Sequence, residues 1–278
     1  MMTLNCKGHL IDLSIPKVMG VLNLTPDSFY DGGRYKDERS ILVQTERMLK
    51  EGARFIDAGA YSSRPGADHI PVEEELRRIV PVVDLLTKHF PDILISIDTF
   101  RSKVAKECLG AGAALINDIS AGHLDPAMME TVAKARVPYI MMHMQGTPQN
   151  MKEMNSYNDL MEDIRYYFSE RLAAARALGM YDLVIDPGFG FAKNIEQNYI
   201  LLRHLSLFRT FGVPVLAGLS RKSMIYKVLG ISPAEALNGT TALHMVALEA
   251  GANILRAHDV KEAVECITLY QRLRDADQ

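Results

Sequence analysis

Cysteine is scarce in this sequence, and its placement indicates no site. The three cysteines, Cys6, Cys108 and Cys266, lie far apart and form no CxxC pair. An odd and scattered set argues against a structural zinc site and favours a reducing compartment. The first residues include Asp12 and lack a long apolar core, so they do not match a secretory signal. We therefore expect a cytoplasmic protein.

Long apolar runs and an excess of one charge are missing as well. The apolar stretches are strand-sized and too short to predict a membrane span. The 278 residues carry a formal net charge of −3, with no basic stripe and no long run of like charge. We therefore expect neither a nucleic acid nor a membrane as partner. An anionic substrate would need a local cluster of cations.

The motifs of several common reactions are absent too. The sequence has no HExxH, no GxSxG and no P-loop. Zinc proteolysis, serine hydrolysis and P-loop phosphoryl transfer are therefore without their motifs. No cysteine lies in a segment that resembles a site, which disfavours thiol catalysis.

What the sequence does contain is a regular alternation of strand-like apolar runs with amphipathic helical segments. The eight runs are KVMGVL, RFIDA, ILISI, AALIN, VPYIMM, DLVI, VPVLAG and ANILRA. The helical segments include residues 73–89, 158–178, 240–250 and 260–274. Eight repeats in about 250 residues favour an α/β fold, a (β/α)₈ TIM barrel. An open doubly wound sheet is the alternative, weakened because no GxGxxG follows the first run.

No linker rich in proline or glycine divides the chain, so we predict one domain over residues 1–278. Residues 1–16 precede the first barrel strand and predict a short N-terminal β-hairpin that closes the barrel floor. Within residues 158–178, Leu160, Ile164, Phe168 and Leu172 fall four apart on one stripe, and Gly179 then provides a stop.

Polar residues end each of the eight predicted strands. In chain order these residues are Asn23, Asp57, Asp98, Asn117, His143, Asp186, Ser220 with Arg221 and Lys222, and Arg256 with His258. Any one of them could simply cap the following helix. In a closed barrel, however, all eight carboxyl ends meet on one face, where barrel enzymes keep their active sites. We therefore expect a ring of acids, amides and cations around one mouth.

The acids and the amide in this ring suit a flat heterocycle. Asp98, Asn117 and Asp186 together offer paired acceptors and a donor, and one carboxylate can accept two parallel N–H bonds from an amino-amidine edge. Taken singly, each aspartate fits an ion-pair partner or a helix cap equally well. The glycines of DPGFG, which follow Asp186, permit close approach of a ligand.

The cations in the ring suit a phosphate. We predict that Ser220 caps a helix beginning near Arg221, which places Arg221 and Lys222 in its first turn, where they oppose the helix dipole. This unfavourable placement favours a role in ligand binding.

Arg256 and His258, with the amino terminus of the last helix, predict a phosphate or diphosphate site. We predict Asp259 as the cap of that helix. The alternative is a pair of solvated surface cations.

Three segments near the predicted mouth are long or ambiguous. Residues 25–35 and 60–71 exceed the usual length of such connections and predict lids. In MMHMQGTPQNM the methionines line the site or fill the core, and His143 either contacts substrate or is an ordinary buried histidine.

Taken together, the motifs resemble those of one family. VMGVLNLTPDSFYDGG, SSRPGA, SIDTFR, INDISAG, MMHMQGTP, VIDPGFGFAK, GLSRKS and LRAHD occur in the order and context of the dihydropteroate synthases, over nearly the whole chain. The resemblance implies a barrel enzyme of folate synthesis, usually dimeric. Its reaction condenses 6-hydroxymethyl-7,8-dihydropterin diphosphate with p-aminobenzoate, giving 7,8-dihydropteroate and diphosphate through a dissociative, SN1-like displacement.

The resemblance also implies the site residues. The catalytic residues would be Asp98, Asp186, Lys222, Arg256 and His258. The substrate-binding set would add Asn23, Ser63, Arg64, Pro65, Asn117, Met141, Phe191, Gly218 and Ser223. In this set Asp98, Asn117, Asp186 and Lys222 would hold the pterin, Arg256, His258 and Asn23 the diphosphate, and Ser63, Arg64, Pro65, Phe191 and Ser223 the p-aminobenzoate. The implied cofactor is Mg²⁺, at Asn23 and Asp31, since Mg²⁺ prefers oxygen ligands completed by diphosphate and water.

The sequence departs from the family pattern at three positions. Tyr61 stands where the family commonly has an acidic residue, Ser63 where it has threonine, and Phe189 where it often has isoleucine. The methyl group lost at Ser63 is worth about 0.8 kcal/mol if buried, which would alter affinity without abolishing it.

Two other functions are compatible with parts of the pattern. A pterin-binding methyltransferase would share the barrel and the pterin pocket but would not need the cations of GLSRKS and LRAHD. A non-catalytic pterin-binding paralogue would be favoured by loss of a diphosphate or p-aminobenzoate residue. None of the mapped residues is missing apart from the exchange at Ser63.

Overall fold

The computed structural model describes residues 2–24, 34–62, 69–151 and 153–276, with the side chains of residues 34–37 outside the description. Ten strands occur in these ranges. They are β1 (Thr3–Cys6), β2 (His9–Asp12), β3 (Lys17–Asn23), β4 (Ala53–Gly59), β5 (Ile95–Asp98), β6 (Leu115–Asp118), β7 (Tyr139–Met142), β8 (Leu183–Asp186), β9 (Leu216–Ala217) and β10 (Ile254–Ala257).

Strands β3 to β10 form one parallel sheet that closes on itself. The order of its strands is β8-β7-β6-β5-β4-β3-β10-β9. A parallel bridge between Ile185 and Val215, with the Ile185 amide donating to the Pro214 carbonyl at 3.0 Å, joins the two ends of this order. The predicted (β/α)₈ barrel is therefore confirmed, and the open doubly wound sheet is excluded.

Nine α-helices occur within the described ranges. They are α1 (Arg34–Lys50), α2 (Val72–His89), α3 (Ser102–Gly110), α4 (Met128–Ala135), α5 (Leu160–Ala177), α6 (Ile195–Arg203), α7 (Ser223–Leu229), α8 (Leu237–Glu249) and α9 (Val260–Asp275). Short 3₁₀ turns at Leu205–Phe211 and Pro233–Glu235 follow α6 and α7. One α-helix lies between each pair of consecutive barrel strands, except that both α7 and α8 lie between β9 and β10. The additional helix, α7, follows the carboxyl end of β9 and therefore begins at the mouth of the barrel. Within the described residues, no helix is both long and apolar enough for a membrane span.

Helix α5 shows how the sequence sets an element. Its predicted stripe of Leu160, Ile164, Phe168 and Leu172 is buried, as the spacing of four requires. The helix is two residues shorter than predicted at its start, because the Asp159 carboxylate accepts from the amides of residues 161 and 162 and caps it there.

The amino-terminal hairpin lies against one end of the barrel. Strands β1 and β2 are antiparallel, as predicted. Their buried side chains Leu4, Cys6 and Ile11 belong to an apolar cluster that includes Met19 and Phe55 from the early parts of β3 and β4. The hairpin therefore packs at the amino ends of the strands, and the opposite, carboxyl end is left for the polar residues.

Candidate active site

The carboxyl ends of the strands bring the predicted acids, amides and cations together. Asp98 and Asn117 are register partners on β5 and β6, and Asp186 is opposite Met142 across β7 and β8. Arg256 is the third residue of β10. Because all eight strands are parallel, these residues lie at the same end of the barrel.

Arg256 is the centre of the first cluster. Its Nε donates to Asp57 Oδ2 at 2.6 Å and its Nη2 donates to Asp98 Oδ2 at 2.8 Å. Asn117 Nδ2 donates to the same Asp57 oxygen at 3.0 Å. One guanidinium therefore links two acids on adjacent strands, and Asp57, which the sequence marked only as a strand end, is part of the same network.

Burial and neighbouring charges shift the pKa values of this cluster in opposite directions. Burial raises the pKa of Asp98 to about 7, although the neighbouring Arg256 opposes the shift. Burial lowers the pKa of Arg256, but Asp57 and Asp98 outweigh it and raise the pKa overall. Arg256 is therefore always protonated, whereas Asp98 can gain or lose a proton near neutral pH.

Lys222 and Asp186 form the second cluster, and both lie close to Gly218. Lys222 Nζ donates to the carbonyl of Phe189 and lies 4.9 Å from the centre of the Phe191 ring. A Cβ atom at Gly218 would lie 3.6 Å from Lys222 Nζ and 3.9 Å from Asp186 Oδ2. A larger side chain at position 218 would therefore fill the space between the acid and the cation.

The pKa values of this second pair shift towards neutral pH. Burial lowers the pKa of Lys222 to about 8, and Asp186 opposes that shift. Burial raises the pKa of Asp186, which Lys222 and the amide of Gly188 oppose. The Gly188 amide donates to Asp186 Oδ1 at 2.8 Å, so the acid is held by the turn that follows it.

The turn after Asp186 is braced by a lysine that sequence reasoning missed. Lys193 Nζ is 3.0 Å from Nδ1 of His143, 3.0 Å from the Gly188 carbonyl oxygen and 2.9 Å from the Phe191 carbonyl oxygen. Both Lys193 and His143 are buried. Of the two alternatives for His143, the structure favours the buried histidine. Its strand-end position gave no indication of the lysine.

The predicted helix caps near the cations are wrong. Helix α7 begins at Ser223, with Lys222 at its N-cap and no side-chain cap bond. The Ser220 hydroxyl instead contacts His258 Nδ1 at 3.0 Å and accepts from the His258 amide at 3.2 Å. The Lys222 side chain therefore contacts the Phe189 carbonyl in the site, and Lys222 is not in the first turn of a helix.

Asp259 does not cap α9 with its side chain either, although it occupies the N-cap position. Its two carboxylate oxygens accept from Nε and Nη2 of Arg221, each at 2.8 Å. Arg221 also has a left-handed backbone, with φ of 55°. A bidentate ion pair is stronger than one capping bond, so Arg221 is engaged with Asp259 and lies before α7 rather than in its first turn.

Tyr61 is at the centre of another polar cluster near the start of the second predicted lid. Its hydroxyl accepts from Gln149 Nε2 at 2.7 Å and lies 3.3 Å from His69 Nδ1. The Arg101 guanidinium carbon is 5.0 Å from the centre of the Tyr61 ring and its Nη1 donates to the buried Glu75 at 2.7 Å. The Tyr61 side chain is therefore held by contacts with Gln149, His69 and Arg101.

The remaining predicted residues divide into two groups. Met141 is buried on β7 and Asn23 is half-buried at the end of β3, while Phe191 and Ser223 are half-buried and His258 is exposed. Outside the described residues lie Asp31, Ser63, Arg64 and Pro65, with most of the predicted lid at 25–35 and half of the one at 60–71. Within the part of the chain that is described, no group of three or more His, Cys, Asp or Glu side chains forms a metal site.

Known proteins share both this sequence and this fold. The pattern of the family described as "Pterin binding enzyme" matches residues 19–258. The dihydropteroate synthase of Escherichia coli strain K12 is 42% identical over 279 aligned residues, which cover 100% of this chain and 98% of that protein. The chain belongs to the dihydropteroate synthase family.

Solved structures of the family agree with this assignment. The Yersinia pestis dihydropteroate synthase in a sulfonamide drug complex has a TM-score of 0.92 and 44% identity, covering 99% of this chain and 100% of that one. The Xanthomonas albilineans dihydropteroate synthase with 4-aminobenzoic acid has a TM-score of 0.91 and 40% identity, covering 98% of each chain. Membership of the family makes the chain a transferase of folate synthesis. It also sets aside the methyltransferase alternative.

Proposed function

We propose that the barrel mouth condenses 6-hydroxymethyl-7,8-dihydropterin diphosphate with p-aminobenzoate, giving 7,8-dihydropteroate and diphosphate. The observation that carries this proposal is the placement of Asp98, Asn117 and Asp186 at the carboxyl ends of β5, β6 and β8. Arg256 contacts Asp98, and Lys222 and Asp186 both lie close to Gly218. The Xanthomonas relative that holds 4-aminobenzoic acid supports the second substrate.

The pterin is bound by the acids and the amide. Asp98 and Asp186, when ionised, accept hydrogen bonds from the amino-amidine edge, and these charge-assisted bonds are about twice as strong as neutral ones. Lys222, which already donates to the Phe189 carbonyl, has two further N–H bonds for the heterocycle. Met141 and Gly218 shape the walls of this pocket.

The diphosphate is bound by the cations of the mouth, next to the acids. Arg256 and His258, joined by Asn23, stabilise the negative charge that develops as the bond between the pterin methylene and the diphosphate oxygen breaks. The methylene becomes cationic by this SN1-like route, and the charge spreads into the ring. Asp98 and Asp186 then supply negative charge close to it.

The second substrate needs no general base. The amine of p-aminobenzoate is neutral at pH 7, so it attacks the methylene cation directly and loses its proton afterwards. We assign its site to Ser63, Arg64, Pro65, Phe191 and Ser223. Closure of residues 25–35 and 60–71 would keep water from the cation.

Mg²⁺ is the cofactor that we propose for the diphosphate. The described oxygen donor is the amide of Asn23, at the mouth end of β3, and Asp31 would be the second. Two oxygen donors suit Mg²⁺, which is usually completed by substrate phosphates and water. When bound, it would lower the charge on the leaving diphosphate.

A homodimer in the cytoplasm is the state that we propose for the chain. Exposed apolar side chains occur on three neighbouring helices, with Val228 and Leu229 on α7, Val246 on α8, and Leu269 and Leu273 on α9. A surface of this kind suits a second copy of the chain. The three cysteines are buried and unpaired, which supports a reducing compartment.

Sedimentation tests the dimer. Replacing Leu269 and Leu273 by lysine should give monomers, while Tyr166→Lys, an equally exposed apolar position on α5, should leave the dimer intact. A wild-type protein that sediments as a monomer would refute this part of the proposal.

The reaction is tested by incubating the protein with the pterin diphosphate, Mg²⁺ and p-aminobenzoate. One diphosphate should be released for each 7,8-dihydropteroate formed, and methyl transfer without diphosphate release would overturn the assignment. Lys222→Ala should weaken pterin binding by about tenfold or more, the usual worth of a bond to a charged group. The control Lys227→Ala, on the exposed side of α7, should bind normally.

A further inference from the structure

Asp57 is a buried acid that contacts two other site residues from one oxygen. It lies two residues before the end of β4, and its side chain is fully buried. Oδ2 accepts from Arg256 Nε on β10 at 2.6 Å and from Asn117 Nδ2 on β6 at 3.0 Å. Among the described residues Oδ1 has no hydrogen-bond partner. Asp57 therefore joins strands on both sides of β4 at the mouth.

The two acids that hold Arg256 differ in what a ligand can reach. Asp57 contacts Nε, next to the aliphatic stem of the arginine, and has no exposed side-chain surface. Asp98 contacts Nη2, at the tip, and keeps 15% of its side chain exposed. A ligand that enters the mouth can therefore replace the contact with Asp98 while the contact with Asp57 stays.

The contact with Asn117 fixes which end of that amide meets a ligand. A carboxylate only accepts hydrogen bonds, so the group 3.0 Å from Asp57 Oδ2 must be the NH₂ of Asn117. The amide oxygen of Asn117 is then left as an acceptor. Without Asp57 the amide could turn over and present a donor instead.

We propose that Asp57 is a positioning residue that keeps Nε of Arg256 in place while Nη2 exchanges its contact with Asp98 for one with the diphosphate. This inference rests on the proposed function. In the free protein Arg256 covers the carboxylate of Asp98. Binding of the substrate moves Nη2 of Arg256 from Asp98 to the diphosphate, while Nε stays on Asp57. This one movement exposes the Asp98 carboxylate to the pterin and brings the guanidinium to the leaving group.

A double-mutant cycle separates this role from a merely structural one. Asp57→Asn should lower kcat/KM for the pterin diphosphate by about tenfold or more, with KM for p-aminobenzoate nearly unchanged. Arg256→Lys lacks the Nε that Asp57 holds, so adding Asp57→Asn to it should cost clearly less than Asp57→Asn costs in the wild type. The loss that remains is the effect of Asp57 on Asn117. Fully additive losses would overturn the proposal.

The matched control is Asp118→Asn, which removes another buried carboxylate. Asp118 accepts from the Tyr139 hydroxyl and from Ser120 and Gly122, and none of these contacts Arg256 in the described structure. Asp118→Asn should lower the melting temperature. Its effect on kcat/KM should be independent of Arg256→Lys, so that the two losses add in the double variant. A non-additive effect equal to that of Asp57→Asn would show that any buried acid couples to Arg256, and would overturn the specific role of Asp57.

A measurement on the unaltered protein covers the case in which Asp57→Asn does not fold. The Nε–H of Arg256, followed by ¹⁵N NMR, should stay protected from exchange both in the free protein and with 6-hydroxymethylpterin and diphosphate bound. Loss of this protection on binding would refute the proposal that Asp57 keeps Nε of Arg256 in place. Absence of any pterin binding by the wild-type protein would instead refute the proposed function, so the two failures are distinguishable.

Discussion

The ammonium of Lys193 lies 3.0 Å from Nδ1 of His143, and neither side chain reaches bulk solvent to any large extent. The other two N–H bonds of the ammonium are directed to the carbonyls of Gly188 and Phe191. Burial lowers the pKa of Lys193 to about 7 and also lowers that of His143, on which Lys193 acts further in the same direction. The turn after Asp186 is therefore held by a lysine that contacts no carboxylate directly among the described residues.

Replacing Lys193 by methionine should lower the free energy of unfolding and weaken pterin binding. The change leaves His143 Nδ1 and the Phe191 carbonyl without the lysine as donor, at about 1–3 kcal/mol for each group that is buried. The Gly188 carbonyl still accepts from the Phe191 amide at 3.1 Å. Chemical denaturation and titration with a pterin would measure the two effects. Lys134→Met, at an exposed lysine paired with Glu130 on α4, should change neither; a Lys193→Met variant with wild-type affinity would show that the turn holds its shape alone.

Replacing Gly188 by alanine should destabilise the protein far more than the same change at Gly179. Both glycines have left-handed backbones, with φ of +74° and +77°, so each substitution costs about 1–2 kcal/mol in backbone strain. At Gly188 the new methyl group would also overlap the carbonyl oxygen of His143, whereas at Gly179 no described atom beyond the chain neighbours lies within 4 Å of it. Urea unfolding of both variants would compare them, and equal losses would contradict the predicted overlap.

The sequence was sufficient to predict the barrel and the ring because both depend on local signals. Each strand is an apolar run, and its end is marked where a polar residue follows. Asp98, Asn117 and Asp186 are found in this way without knowledge of their partners. The stop at Gly179 is local too and is predicted, whereas the capping bond of Asp159, although local, is not among the predictions.

The parts that could not be predicted depend on contacts between distant residues. Asp57 is 60 residues from Asn117 and 199 from Arg256, and Lys193 is 50 from His143. Ser220 has the local pattern of a cap, yet its hydroxyl contacts His258, 38 residues away. Only the closed barrel brings such residues together, so one sequence cannot distinguish a bracing lysine from a surface lysine.

Binding of the pterin should be strongest in a narrow range close to neutral pH. Asp98 accepts two parallel charge-assisted hydrogen bonds only when it is ionised. Burial raises its pKa to about 7, so affinity should fall as the pH drops through that value. Lys222 donates as a cation, and burial lowers its pKa to about 8, so affinity should fall again as the pH rises through that value. Calorimetric titrations from about pH 6 to about pH 9 would define both limits.

Variants assign the two limits. Lys222→Arg keeps its charge throughout this range, so its decline in affinity at high pH should disappear while the decline at low pH remains. In ¹³C spectra of protein labelled at its aspartate carboxyl groups, the signal that disappears in Asp98→Asn belongs to Asp98. This signal should titrate near pH 7. An alkaline decline that persists in Lys222→Arg would assign it to the ligand or to another group.

Tyr61→Phe should cost about 0.5–1.5 kcal/mol of stability and raise KM for p-aminobenzoate more than KM for the pterin diphosphate. The change deletes the hydrogen bonds of the hydroxyl with Gln149 and His69, but it keeps the ring edge-on to Phe100 at 5.0 Å. In the sequence Tyr61 is two residues before Ser63, which we assign to p-aminobenzoate, and the contacts that change do not include the acids assigned to the pterin.

Tyr61→Glu, which introduces the acidic residue common in the family, should destabilise the protein more than Tyr61→Phe does. The tyrosine is buried, and the nearby guanidinium of Arg101 is already paired with Glu75 at 2.7 Å. A second carboxylate there would compete with Glu75 for Arg101 and would have to be desolvated. Urea unfolding and initial rates at varied p-aminobenzoate would test both variants. A Tyr61→Glu protein as stable as the wild type would mean that Arg101 can serve two acids at once.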